Sequence, residues 1–188
     1  MSSRNLNATA ASLLGFLQEG PLTGWDLVAA AQQRIGDFWS LTQSQVYREL
    51  ASMAAVGLIE AGERGPRDRR PYSITDTGRA AFTAWLSRTP DDETIRFPLL
   101  LTVLFGRHLP PGRLAEIVAE HRKLHAERLA AYQQAREQLV GGPVDPHQLA
   151  PLEFGIRYEA AALAWFDDLP AEIRTGERPH QRGANNSQ

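Results

Sequence analysis

A mainly α-helical chain carrying one small β-hairpin is the fold class these 188 residues predict, and three observations predict it. A capped amphipathic segment runs from Thr42 to Gly57. Two short apolar runs follow, Leu58-Ile59 and Tyr72-Ser73-Ile74, separated by a turn crowded with arginine, glycine and proline. After Pro90 the apolar residues recur at helical spacings. Helix, glycine stop, strand, basic turn and strand, in that order, form the recognition helix and wing of a winged helix-turn-helix.

Composition sets the outer bounds. With 43% hydrophobic residues the chain can bury one or two small cores. The formal net charge is −2, so attraction to nucleic acid has to come from a local patch. Cysteine is absent, which excludes disulfides and thiolate metal sites. The first residues lack the apolar core of a secretory leader. The longest apolar run, Phe97 to Phe105, is too short to span a bilayer. A soluble cytoplasmic protein that meets no membrane is expected.

Residues 8–18 predict a helix carrying Leu13, Leu14, Phe16 and Leu17, stopped by Gly20-Pro21. Thr23 opens a second helix, with Asp26 as its capping partner, and Gly36 closes it. Leu27, Val28, Ala31 and Ile35 line its inner face. Residues 37–41 lead into the third helix. There Thr42 and Gln45 form a capping box, Val46, Leu50 and Met53 make the buried stripe, and Gly57 ends it. The opposite face presents Ser44, Arg48, Ala51 and Ala55, with Tyr47 and Gln45 on its flanks, so its polar groups lie near the helix start where a major groove is read. Arg64, Arg67, Arg69 and Arg70 crowd the following turn and suit phosphate or minor-groove contacts. A polar helix face or a basic turn alone also fits a solvated surface; their succession points to DNA. Thr75-Asp76 then caps a fourth helix, with Ala81, Phe82, Trp85 and Leu86 directed inward.

The boundaries follow: a winged helix-turn-helix over 1–89, a proline-containing acidic linker over 90–96, a helical domain over 97–174 and a disordered polar tail over 175–188. Phe97 to Arg107 is apolar nearly all round and predicts a buried helix. Pro110-Pro111 starts a long helix that reaches about Leu139, with a stripe of Leu114, Ile117, Val118, His121, Leu124, Arg128, Tyr132 and Leu139. Gly141-Gly142-Pro143 breaks it, and a last helix runs to Ile173 with two apolar faces. One helical neighbour cannot cover both faces, so a partner chain is expected.

The N-terminal pattern resembles the PadR family of bacterial transcriptional regulators. It comprises Leu13-Leu-Gly-Phe-Leu17, Glu19-Gly-Pro-Leu22, Gly24-Trp-Asp-Leu27, Phe38-Trp39, Val46-Tyr47 with Leu50, Gly57-Leu-Ile59, and Arg70, Tyr72, Thr75 and Gly78. Phe97-Pro-Leu-Leu-Leu101, Leu109-Pro-Pro111 and Gly155-Ile-Arg-Tyr158 are similar to the helical C-terminal domain of its Vir-like subgroup. The resemblance implies a homodimer held by the C-terminal helices, two winged helices on a palindromic double-stranded DNA operator, repression, and release by a small aromatic effector. It places DNA contacts at Gln43, Ser44, Tyr47, Arg48, Arg67, Arg69 and Arg70. Trp25 departs from the family, which often has tyrosine there. The Thr42-Gln-Ser-Gln45 run also departs, so no operator sequence is carried over.

Other chemistry finds little support in the residues. His121 and His125 stand one helical turn apart, but no third ligand or zinc-protease glutamate accompanies them; an interfacial polar residue is the better reading. No nucleophile elbow or triad context occurs, so neither an enzyme nor a cofactor is expected. Trp25, Trp39, Phe97 and Trp165 offer aromatic surface for a planar effector, or plain core packing. Two further function classes remain beside the DNA-binding regulator: a winged-helix protein-interaction module without DNA binding, and a ligand carrier with an aromatic cavity.

Overall fold

The computed structural model describes residues 6–34, 39–65, 69–92, 95–140, 142 and 144–176. The chain forms two compact units, Met1–Glu93 and Thr94–Gln188.

The first unit begins with α1 (Ala8–Phe16), whose start is capped by the Asn7 side chain accepting from the Ala10 amide at 2.7 Å. After the Gly20-Pro21 stop come β1 (Leu22–Thr23) and α2 (Gly24–Arg34). The Thr23 hydroxyl donates to Asp26 at 2.7 Å, and the Thr23 amide donates to the same oxygen at 3.1 Å. This fixes the first turn of α2. Helix α3 (Gln43–Ala55) opens on the predicted capping box: the Gln45 amide donates to Thr42 Oγ1 at 3.3 Å and the Thr42 amide to Gln45 Oε1 at 2.8 Å. Gly57 ends the segment at φ 73°, a left-handed backbone that a side chain would strain.

Strands β2 (Ile59–Ala61) and β3 (Pro71–Ile74) pair antiparallel, with Ile59 opposite Ile74 and Ala61 opposite Tyr72. The sheet has a third strand that the sequence reading missed. β1 pairs with the other edge of β3, Leu22 opposite Tyr72 and Thr23 opposite Pro71. Two residues are too few to show an alternating pattern. Helix α4 (Asp76–Leu86) follows, capped by Thr75. The core joins Leu13, Leu14 and Leu17 of the first segment to Leu27 and Ala31 of α2, Val46, Leu50 and Met53 of α3, and Ile59 and Ile74 of the sheet. Phe82 packs against it, but Leu86, predicted to point inward, is 59% exposed at the last turn of α4. Ile35, Gly36, Phe38 and the wing tip 66–68 lie outside the described residues.

The second unit contains α5 (Pro98–Leu104), a 3₁₀ turn at Gly106–His108, α6 (Arg113–Val140), α7 (Pro146–Asp168) and the short α8 (Ala171–Arg174). The last predicted helix is thus two. Leu169-Pro170 interrupts it, because proline lacks the amide the ladder needs. Arg122 pairs with Asp167, His125 with Glu159 and Arg136 with Glu153. Partners descend along α7 as they ascend α6, so the two helices run antiparallel.

The core here is small: Val118, Phe166 and Leu169, with Leu99, Val103, Leu114, Trp165 and Ile173 against them. Two expectations need correction. The helix after Phe97 was expected to be buried, yet Leu101 and Leu104 are 61% and 67% exposed, and no residue of α5 is buried within the single chain. On α6, Leu124 and Arg128 of the predicted stripe face solvent, and His125 turns inward instead. There it meets the Glu159 carboxylate, which is only 3% exposed, with Arg128 4.0 Å from the other carboxylate oxygen. The last predicted tail lies, from residue 177, outside the described residues. No described helix is long and apolar enough to cross a membrane.

Two stability predictions arise here. The Thr75 hydroxyl lies 2.7 Å from the Gly57 carbonyl oxygen and accepts from the Gly78 amide at 3.0 Å, joining the end of the α3 segment to the start of α4. Thr75→Ala is expected to cost about 1–2 kcal/mol in urea unfolding, and Thr75→Ser most of it back. Glu159→Ala is expected to cost about 1–3 kcal/mol, because it strands the half-buried His125. Asp167→Ala, at an exposed pair on the same helices, is expected to change stability less in the same titration.

Candidate nucleic-acid interface

The exposed side of the first unit is assembled from three elements. Val46, Leu50 and Met53 anchor α3 in the core, which turns Gln43, Ser44, Tyr47 and Arg48 outward. Ser44 Oγ lies 3.1 Å from the capping hydroxyl of Thr42, so its orientation is tied to the helix start. Donors and acceptors at the first turns, with only Ala51 and Ala55 exposed further along that face, leave the helix slim enough to approach a groove.

The wing extends beyond its strands. The Gly62 amide donates to the Pro71 carbonyl at 2.8 Å, and the Gly65 amide donates to the Arg69 carbonyl at the same distance. Arg70 Nε donates to the Gly62 carbonyl at 3.0 Å, which holds the guanidinium across the hairpin. The Thr23–Pro71 pairing sets the base of the wing beside the start of α2.

Between α2, α3 and the wing lies a cleft of about 370 Å³. Arg64, Arg69 and Arg70 line it from the wing, Tyr72 from β3 and Tyr47 from α3. Thr23, Gly24 and Trp25 complete it. Asp26 stands beside this positive group. Hydrogen bonds from the Thr23 hydroxyl and amide hold its carboxyl below the usual range, with the charge of Arg69 adding to the effect. The Tyr47 ring lies directly over Gly24: a Cβ on that glycine would stand 2.6 Å from one ring carbon and 2.7 Å from another. Gly24 therefore makes room for Tyr47.

The predicted DNA-contact residues Gln43, Ser44, Tyr47, Arg48, Arg64, Arg69 and Arg70 are all exposed in this unit, and four of them share the cleft. Arg67 lies outside the described residues. The sequence reading missed Thr23 and Gly24 as lining. A Thr-x-x-Asp cap directly after a Gly-Pro stop was the available signal.

The predicted effector residues are not one group. Trp25 stands in the cleft at 60% exposure, and Trp39 is half-exposed without lining it. In the second unit Phe97 stacks on Tyr158 at 6.3 Å, and Phe154 stacks on the same ring at 6.4 Å. Trp165 instead packs edge-on to the buried Phe166 at 4.9 Å and belongs to the core. Burial, and then the Glu159 charge, push the Tyr158 hydroxyl above its ordinary value. Glu159 was also missed. Its signal was a carboxylate at helical spacing between Ile156, Leu163 and Phe166, on a face otherwise apolar. Among the described residues no cluster of three or more His, Asp or Glu is arranged to hold a metal.

Comparison with known proteins finds transcriptional regulators that match along most of the chain. The family model described as "Transcriptional regulator PadR-like family" matches residues 13–84, and the "Virulence activator alpha C-term" model matches residues 95–174. The negative transcriptional regulator PadR of Bacillus subtilis is 25% identical over 174 residues, covering 86% of this chain and 95% of that protein. The crystal structure of Bacillus subtilis PadR in complex with operator DNA matches with a TM-score of 0.74 at 23% identity, over 89% of this chain and 99% of that one. The structure of the same regulator in complex with p-coumaric acid matches with a TM-score of 0.67 at 24% identity, over 89% and 97% of the two chains. These relatives are transcriptional regulators and not enzymes. The two family models together take in the winged unit and the helical unit that follows it, and the chain belongs to the PadR-like family of transcriptional regulators.

Proposed function

We propose that this regulator is a cytoplasmic homodimer that represses transcription by setting two winged helices on a palindromic operator. One observation carries the reading: the exposed face of α3 and the arginines of the wing share a single surface of the first unit. Gln43, Ser44 and Arg48 supply base-directed donors and acceptors, and Arg64, Arg67, Arg69 and Arg70 supply backbone attraction. A net charge of −2 gives the rest of the chain no general affinity for DNA, so two copies of the patch serve better than one.

The dimer rests on the second unit. Leu100, Leu101, Leu104 and Phe105 are exposed on or just after α5, and Phe154 is exposed on α7. That is far more open apolar surface than a three-residue buried core would leave on a self-sufficient unit. The repressor sense follows the Bacillus subtilis relative, a negative regulator that has been seen with operator DNA. That relative also binds p-coumaric acid, which supports a small aromatic acid as the effector here. Phe97 on Tyr158 offers the open ring surface such a ligand needs.

Selection of bound duplexes from a random pool, followed by gel shift at fixed salt, tests the reading. Enrichment of an inverted repeat is the expected result. Failure to enrich any sequence would instead favour a protein-interaction module. On the selected duplex, Arg69→Ala or Arg70→Ala is expected to weaken binding to operator and unrelated DNA alike and to flatten the salt slope by about one unit each. Gln43→Ala is expected to cost about 1–3 kcal/mol of discrimination between right and wrong bases with little effect on unrelated DNA. Light scattering is expected to give twice the 20.8 kDa chain mass, falling toward one chain in Leu101→Glu/Leu104→Glu.

A further inference from the structure

Trp25 is the largest exposed side chain on the first turn of α2, and neither the core nor the base-reading face of α3 uses it. It stands in the same cleft as Arg64, Arg69 and Arg70. Three guanidinium groups around one concavity raise its positive potential, and the neighbouring Asp26 offsets only part of that charge. An anion is the natural occupant. Trp25, Tyr47 and the three arginines that wall the cleft are exposed, so it suits one segment of a large ligand lying across it better than a small molecule, which needs most of its surface enclosed.

We propose that this cleft seats a sugar–phosphate unit of the DNA backbone, with Trp25 and Tyr47 as its two aromatic walls. The inference rests on the DNA-binding reading above and extends the contact surface onto α2. The wing arginines take the phosphate oxygens, where planar guanidinium geometry fits best. Trp25 contributes an apolar face for the deoxyribose and an indole N–H for a phosphate oxygen. Tyr47 lies back over Gly24 and lines the cleft, so it is assigned to the backbone and not to base edges. Gly24 is a positioning residue, since any side chain there displaces the tyrosine ring.

The test uses the full-length chain and fluorescence anisotropy on the selected operator and on a scrambled duplex of equal length, across a salt series. Trp25→Ala is expected to weaken both duplexes by a similar factor, about tenfold. Trp25→Phe, which keeps a ring and loses the N–H, is expected to fall between it and the wild type. Gly24→Ala is expected to weaken both duplexes in the same even way, and Trp39→Ala, outside the cleft, to leave both unchanged. A neutral methylphosphonate scan of the operator should locate one backbone position at which Trp25→Ala loses less affinity than the wild type, the remaining loss belonging to the wing arginines. Thermal melts check that every variant is folded.

Equal affinity of the wild type and Trp25→Ala for both duplexes would overturn the inference while leaving the DNA-binding function standing. A loss confined to the operator would overturn it too, by making Trp25 a base reader. Calorimetric binding of p-coumarate without DNA, abolished in Trp25→Phe, would replace it with a small-ligand site. If the wild type binds no duplex at any salt, this inference and the proposed function fall together.

Discussion

The recognition surface depends on one residue that serves two elements. Thr23 is opposite Pro71 in the sheet and also makes the hydrogen bonds to Asp26 that start α2. Helix α2 is fixed in turn through Leu27 and Ala31, buried in the core shared with α1 and α3. The base of the wing is therefore referenced to the recognition helix through packed side chains. The other end of β3 is held as well: the Thr75 amide donates to the Leu58 carbonyl at 3.1 Å. Arg69 and Arg70 leave a strand fixed at both ends, which limits how far their guanidinium groups can wander from α3.

The second unit is balanced differently. Its buried apolar set is small, and charge pairs link α6 to α7. The exposed pairs contribute little each. His125 and Glu159 differ, because a carboxylate so deeply buried is tolerable only with a partner. The pair links one position of α6 to one position of α7.

Much of the first unit is legible in the sequence. The capping box at Thr42 and Gln45, the stripe of Val46, Leu50 and Met53 and the stop at Gly57 are local signals, and each resolves within a few residues. β1 was invisible because its two residues carry no pattern, and only the distant Pro71-Tyr72 makes them a strand. The cleft was half legible for the same reason. Its arginines announce themselves as a cluster, whereas Trp25 and Gly24 join it only through the fold. In the second unit the helical periods marked the helices but not their faces. Leu124 and His125 are adjacent, and which of them turns inward is decided by Glu159, far along the chain. Leu101 and Leu104 read as core because sequence records hydrophobicity and not exposure.

The bond from Arg70 Nε to the Gly62 carbonyl bears on the kinetics of encounter. A long cationic side chain normally loses rotamer freedom when it grips a ligand, and that loss opposes binding. Here part of it is spent when the hairpin forms. In the proposed contact the guanidinium meets DNA already oriented, so affinity depends less on slow local rearrangement after contact. An arginine can do this because its fork offers donors in several directions, one turned inward and the others outward. A lysine at position 70 would carry the same charge but would have to choose between the hairpin and the phosphate.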